Sequence, residues 1–150
     1  MSLQSQLQAA SHGRPGVITV GTFDGVHVGH ARLFAETIAL AGEIGSDSVA
    51  ITFKYPPREL INPDRRVLHL GPLDERRSLI EALGIDHVIE LEFDDRIRTI
   101  AAEEFVRILM AELDMKGLVL GPGATVGHER DGDEARMTAL SEELGFALRV

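Results

Sequence analysis

Two histidines, His27 and His30, stand three residues apart in the stretch "VITVGTFDGVHVGH", residues 17–30. Asp24 and three glycines, Gly21, Gly25 and Gly29, lie around them. Where an apolar β-branched run breaks into glycine, backbone can approach a ligand closely because no Cβ stands in the way. A helix beginning at the histidines would offer free N–H groups and the positive end of its dipole, both of which attract phosphate. Histidines at this spacing on a helix share a face. Two imidazoles over a phosphate-binding turn can donate hydrogen bonds to developing negative charge, which suits attack on a nucleotide α-phosphate with pyrophosphate leaving.

The same residues admit two other readings. Asp24, His27 and His30 have D-x-x-H-x-x-H spacing, and histidine with carboxylate suits zinc or iron. In the third reading Thr22 and Asp24 satisfy the turn, and the histidines are surface or half-buried polar groups. Glycines beside a helix start fit phosphate better than metal, so no metal-ligand set is assigned. The G-x-G-x-x-G spacing of dinucleotide sites is absent.

Elements that would hold this stretch in place alternate along the chain. "GVITVG" (16–21) reads as a buried strand, and a helix follows over Val28–Ile44 through Leu33, Phe34, Ile38, Ala41 and Ile44, with Gly45 as its stop. "SVAITF" (48–53) is a second strand, ended by Pro56 and Pro57. A helix near Asp74–Leu83 is expected to bury Leu79, Ile80 and Leu83, and Gly84 ends it. "DHVIEL" (86–91) is a third strand. The amphipathic "EEFVRILMAEL" (103–113) places Phe105, Val106, Leu109, Met110 and Leu113 on one face. "KGLVLG" (116–121) is a fourth strand, a helix runs from Asp133 to Leu144 through Ala135, Met137, Leu140 and Leu144, and "FALRV" begins a fifth strand. Strand–helix alternation with non-alternating apolar strands predicts an α/β fold on a parallel sheet. Open sheets of that kind bind ligands beyond the carboxyl ends of their strands, where residues 21–30 would lie.

The chain has 150 residues, the size of one domain. It contains no cysteine, which excludes disulfides and cysteine-ligated metal and fits a reducing, cytoplasmic setting. A net charge of −9 argues against a broad nucleic-acid interface, though a small polyphosphate needs only a local donor site. No apolar run suggests a membrane span. The opening "MSLQSQLQAASHGRPG" lacks the basic and apolar regions of a signal peptide, and residues 1–15 are expected to form a disordered extension before a domain over 16–150.

"GTFDGVHVGH" resembles the G-x-F-D-G-x-H-x-G-H signature of the nucleotidyltransferase superfamily. More closely, it is similar to the FMN adenylyltransferase module of bacterial FAD synthetases, usually fused to riboflavin kinase. "ITFKYPPREL" resembles that family's T-F-x-P-H-P stretch. "LDERRSLIEALGIDHVIELEFDDRIRTIAAEEFVRIL" resembles its helix, third strand and E-E-F-V segment, and "LVLGPGATVGHERDGD" lies where the family has its G-x-[DN]-F-x-F-G…G-D loop. The resemblance implies a Rossmann-like, three-layer fold of nucleotidyltransferase (HUP-like) type with a five-stranded parallel sheet. It also implies transfer of adenylyl from ATP, with Mg2+, to FMN, giving FAD and pyrophosphate. His27 and His30 would then stabilise the transition state, and Gly21, Thr22, Phe23, Asp24, Gly25 and Gly29 would line the ATP site. Phe53, Tyr55, Pro56, Pro57, Arg58, Gly123 and Arg130 would lie on the flavin side.

Gly123 stands where the family has Asp or Asn, Ala124 and Val126 replace two aromatics, and Tyr55 and Pro56 replace Pro and His. The family's S-S-T-x-I-R motif and riboflavin kinase module do not occur within the 150 residues, so the domain is expected to lack its C-terminal part. Two alternatives therefore stand beside FMN adenylylation. One is a related cytidylyl- or adenylyltransferase with another acceptor, and the other is a nucleotide-binding module with little or no catalysis. Arg65 and Arg66 read as solvated loop charges, and His12, His69 and His87 as incidental. Phe93, Asp94 and Asp95 read as preceding or capping a helical turn, and Asp131 or Asp133 as a helix cap.

Overall fold

A computed structural model describes residues 3–11, 13–21, 28–53, 73–92, 99–121 and 133–150. Five strands, β1 (Gly16–Val20), β2 (Asp47–Phe53), β3 (His87–Leu91), β4 (Met115–Val119) and β5 (Ala147–Arg149), form one sheet in the order β3-β2-β1-β4-β5. Every pairing is parallel. A parallel sheet needs helical crossovers, and these cover both of its faces. Helices α2 (Val28–Ile44) and α3 (Leu73–Ala82) lie on one face, where Phe34 packs with Ala50, Ile80 and Val88. Helices α1 (Leu3–Ala10), α4 (Ala102–Leu113) and α5 (Glu134–Leu144) lie on the other, joined through Leu7, Ile18, Ile51, Leu109 and Met137. The expected three-layer α/β fold is thus present.

Alternate residues of β1 serve the two faces, as the strand's period of two requires. Ile18 enters the larger core and Val17 the smaller one beneath α2. Gly117 lets α2 come close to the sheet: a Cβ there would lie 3.1 Å from Leu40 Cδ2 and 3.2 Å from Val17 Cγ2. Helix α2 stops as expected at Gly45, whose positive φ of 77° lets its N–H and that of Ser46 both donate to the Ala41 carbonyl. Asp133 caps α5, its Oδ1 accepting from the Arg136 N–H at 2.9 Å. Among the described residues, no helix is long and apolar enough to cross a membrane.

The molecule differs from expectation at four places. Residues Leu3–Ala10, within the stretch expected to be disordered, form a helix with Leu3 and Leu7 buried in the main core. Leu79 and Leu83 are exposed, and Ile80 alone of the three is buried. Helix α3 lies against the edge strand β3, so only a narrow stripe of it meets the sheet. Ile44 and Ala135 are also exposed, the first at the last turn of α2 and the second on the outer face of α5. Finally, His87 has a partner. Its Nε2 lies 2.9 Å from Asp47 Oδ2, while the Arg14 Nε donates to Asp47 Oδ1 at 3.0 Å. Hydrogen bonding from His87, with help from Arg14 and against the opposing effect of burial, holds the Asp47 carboxyl below its ordinary range.

Candidate functional site

The strand order reverses at β1, which has β2 on one side and β4 on the other. The carboxyl end of β1 therefore lies at the crevice where open α/β sheets hold their ligands. Gly21 is the first residue past that end. Its N–H donates to the Ile51 carbonyl at 3.0 Å, so the ladder to β2 is kept one residue past the strand. The connection ends at Val28, where α2 begins, and Gly29 and His30 follow within its first turn. The first four N–H groups of a helix have no partner in the helix itself, and α2 starts where the connection from β1 ends.

His30 is half-buried, with its Nδ1 fully enclosed. Its ring sits 6.4 Å from that of Phe34, tilted by 44°. Phe34 is fully buried beneath α2, so the imidazole stands on a rigid floor one helical turn further in. Thr37 Oγ1 donates to the Leu33 carbonyl at 2.8 Å, which satisfies a hydroxyl on the buried face of the same helix. Arg149 of β5 pairs with Glu36 and Glu43, tying the outer face of α2 to the far strand. These contacts fix the helix whose start carries the histidine.

The carboxyl ends of the flanking strands lie on the same rim. On the β4 side, the Leu120 N–H donates to the Arg149 carbonyl at 2.9 Å and Gly121 follows. On the β2 side, Phe53 ends the strand opposite Leu91 of β3, buried in the main core. Gly21, Gly29, His30 and Phe53 are thus placed on one edge of the sheet. His27, Thr22, Phe23, Asp24, Gly25, Tyr55, Pro56, Pro57, Arg58, Gly123 and Arg130 lie outside the described residues, as do His12, Arg65, Arg66, His69, Phe93, Asp94, Asp95 and Asp131. Two of the three positions in the D-x-x-H-x-x-H metal reading fall in that set. Among the described residues, no three His, Asp or Glu groups come together as a metal would require.

One polar group near the site was missed from sequence. Thr19, two residues before Gly21, is fully buried, and its Oγ1 has no hydrogen-bond partner among the described residues. The signal was there to read: a hydroxyl in the otherwise apolar strand "GVITV". Such groups are normally paired, so an unpaired one is unusual in a core.

Comparison with known proteins points the same way as the geometry. The profile of the FAD synthetase family matches residues 9–150. A bifunctional riboflavin kinase/FMN adenylyltransferase from Pseudomonas fluorescens is 36% identical over 135 residues, 89% of this chain and 43% of that protein. The protein of the same description from Escherichia coli is 30% identical over 131 residues, 87% of this chain and 42% of its own length. The chain therefore spans less than half of each of these curated relatives. Among solved structures, a macrolide-efflux protein from Streptococcus pneumoniae superposes with a TM-score of 0.81. It is 22% identical and covers 95% of this chain and 46% of that one, a likeness that carries the fold alone.

Proposed function

The chain belongs to the FAD synthetase family, and on that premise we propose that it transfers the adenylyl group of ATP to FMN, giving FAD and pyrophosphate. The observation that carries this reading is the position of His30, in the first turn of α2 at the point where the strand order reverses. A phosphate oxygen of FMN attacks the α-phosphorus of ATP. The bond from that phosphorus to the bridging oxygen breaks, and pyrophosphate leaves with the electron pair. Mg2+ enters on the ATP phosphates as part of the substrate.

The protein's part is to hold and to stabilise. The N–H groups at the start of α2 bind the phosphates, and Gly21, Gly25 and Gly29 let backbone approach them. With Nδ1 of His30 enclosed, its Nε2 is the nitrogen that meets the nucleotide. Together with His27 it donates to the non-bridging oxygens of the α-phosphate as charge builds there. Thr22, Phe23 and Asp24 complete the ATP side. The exits of β2 and β4, with Phe53, Tyr55, Pro56, Pro57, Arg58, Gly123 and Arg130, form the flavin side. Positioning and charge stabilisation suffice for phosphoryl chemistry of this kind, so no covalent intermediate with the protein is required. Both substrates and the lack of cysteine suit a cytoplasmic enzyme.

Incubating the purified chain with Mg2+, FMN and either ATP or CTP tests the proposal by chromatography of the flavin and measurement of pyrophosphate. FAD formation with ATP, and none of the cytidine analogue with CTP, supports it. Nucleotide binding with no pyrophosphate release, or preference for CTP, would overturn it.

A further inference from the structure

Thr19 carries the only side-chain hydroxyl of β1. It is fully buried, and its Oγ1 makes no hydrogen bond among the described residues. Its neighbours in the sheet fix the side it faces. Thr19 stands opposite Ala50 of β2 and Val119 of β4, and residues opposite one another in a parallel sheet point to the same face. Ala50 packs with Phe34, and Val119 packs with Leu33, Leu40 and Ala41, all from α2. The hydroxyl therefore lies on the α2 side of the sheet, beneath the turn that carries Leu33 and Phe34. One turn nearer the start of that helix stands His30, whose ring is 6.4 Å from that of Phe34 and whose Nδ1 is fully enclosed. A buried hydroxyl and the inner nitrogen of the histidine thus share one layer of the molecule, at the carboxyl end of the central strand.

We propose that Thr19 is a positioning residue for His30: with ATP held at the start of α2, its hydroxyl bonds the Nδ1 edge of the imidazole and keeps a proton on Nε2. A hydroxyl suits this task because it can both donate and accept. It donates to Nδ1 of the neutral ring, which leaves the ring's proton on Nε2. It accepts from Nδ1 of the cationic ring, whose Nε2 is protonated as well. In both states Nε2 is a donor, as the oxygens of the α-phosphate require. A carboxylate in the same place would draw the neutral ring's proton to Nδ1 and leave Nε2 bare. An unpaired buried hydroxyl costs stability, and a task beside the histidine explains why one stands in an apolar strand. This role rests on His30 being the donor to ATP, whatever the acceptor.

The test uses the full chain with Thr19→Val, which keeps the shape of the side chain and removes the hydroxyl, and with Thr19→Ser, which retains it. Three quantities are read: steady-state FAD formation with each substrate varied, a melting curve, and the imidazole nitrogen chemical shifts of His30 with Mg2+ and ATP bound. For Thr19→Val the expected result is a fall in kcat of about three- to tenfold, with KM for ATP within about twofold. Its Tm should equal or exceed that of the wild type, because an unpaired buried hydroxyl is gone. The ring shifts should place the proton on Nε2 in the wild type and partly on Nδ1 in Thr19→Val. Thr19→Ser should keep kcat within about twofold. Unchanged kcat in Thr19→Val, a loss that only follows a fall in Tm, a loss that Thr19→Ser shares, or ring shifts alike in wild type and Thr19→Val would each overturn the inference. If the wild-type chain makes no FAD, the reading of the acceptor fails, and the ring shifts with ATP alone still decide the role of Thr19.

Discussion

Replacing Leu7 by alanine should destabilise the whole domain, although the residue stands seventh in the chain. Leu7 is fully buried, in one core cluster with Leu91, Leu109 and Met137. The substitution removes about three buried carbons at roughly 0.8 kcal/mol each, about 2.4 kcal/mol before any cavity forms. Helix α1 is a single short helix of eight residues and can settle partly into the space. That places the total near 2.5–3.5 kcal/mol, in the lower half of the range for such changes. For a domain of this size each kcal/mol lowers Tm by about 2–4 °C, so a fall of roughly 5–14 °C is expected. Calorimetry on the wild type, Leu7→Ala and Gln4→Ala is the assay. Gln4 lies on the exposed face of the same helix and should stay within about 0.5 kcal/mol of the wild type. Identical melting curves for the two variants would refute the packing of α1 on the domain.

Two further outcomes follow from local geometry. Asp114 closes α4 in the left-handed region at φ 49°, where its carbonyl accepts from the Gly16 N–H at 3.2 Å. Asp114→Gly keeps that bond and relieves the side chain's strain, so a gain of up to about 1 kcal/mol is expected, read as a rise in Tm. Asp47→Asn should lower stability at neutral pH, because the carboxylate is held charged by His87 and Arg14. A depressed carboxyl contributes above its unfolded pKa, near 3.8, and the contribution is lost as pH falls through the lower folded value. The gap in Tm between wild type and variant should therefore narrow as the pH falls through 3.8 and below. A gap that stays open or widens below pH 3.8 would contradict this.

Local signals carried most of the architecture, and long-range partners were what they could not supply. Helix α2 runs over Val28–Ile44 as its apolar spacing predicts, and Gly45 stops it through a positive φ. The strands were legible because they are buried on both faces and so read as unbroken apolar runs. In "LQSQLQAA" only Leu3 and Leu7 mark a buried face, too sparse a pattern to separate from a disordered lead. Gln6 meets Glu92 across 86 positions and His87 meets Asp47 across 40, so no spacing rule could pair them. Leu79 and Leu83 misled for the opposite reason. Their period is helical, but α3 lies at the sheet's edge, where among the described residues no strand lies beyond β3. Of the candidate site, the helix start and the place of Gly21 and His30 at one sheet edge were legible in the sequence. Thr19 was legible as a hydroxyl in an apolar strand, but that its Oγ1 finds no partner among the described residues is a property of packing.

The claim on which the rest stands is that His30 serves the reaction and not the fold. His30→Ala, assayed by pyrophosphate release from ATP and FMN beside a melting curve, tests it most directly. The expected result is a fall in kcat of about 100-fold or more with Tm within about 2 °C of the wild type, as loss of a transition-state donor gives. Turnover within threefold of the wild type would contradict the account, as would a loss of activity that only tracks unfolding.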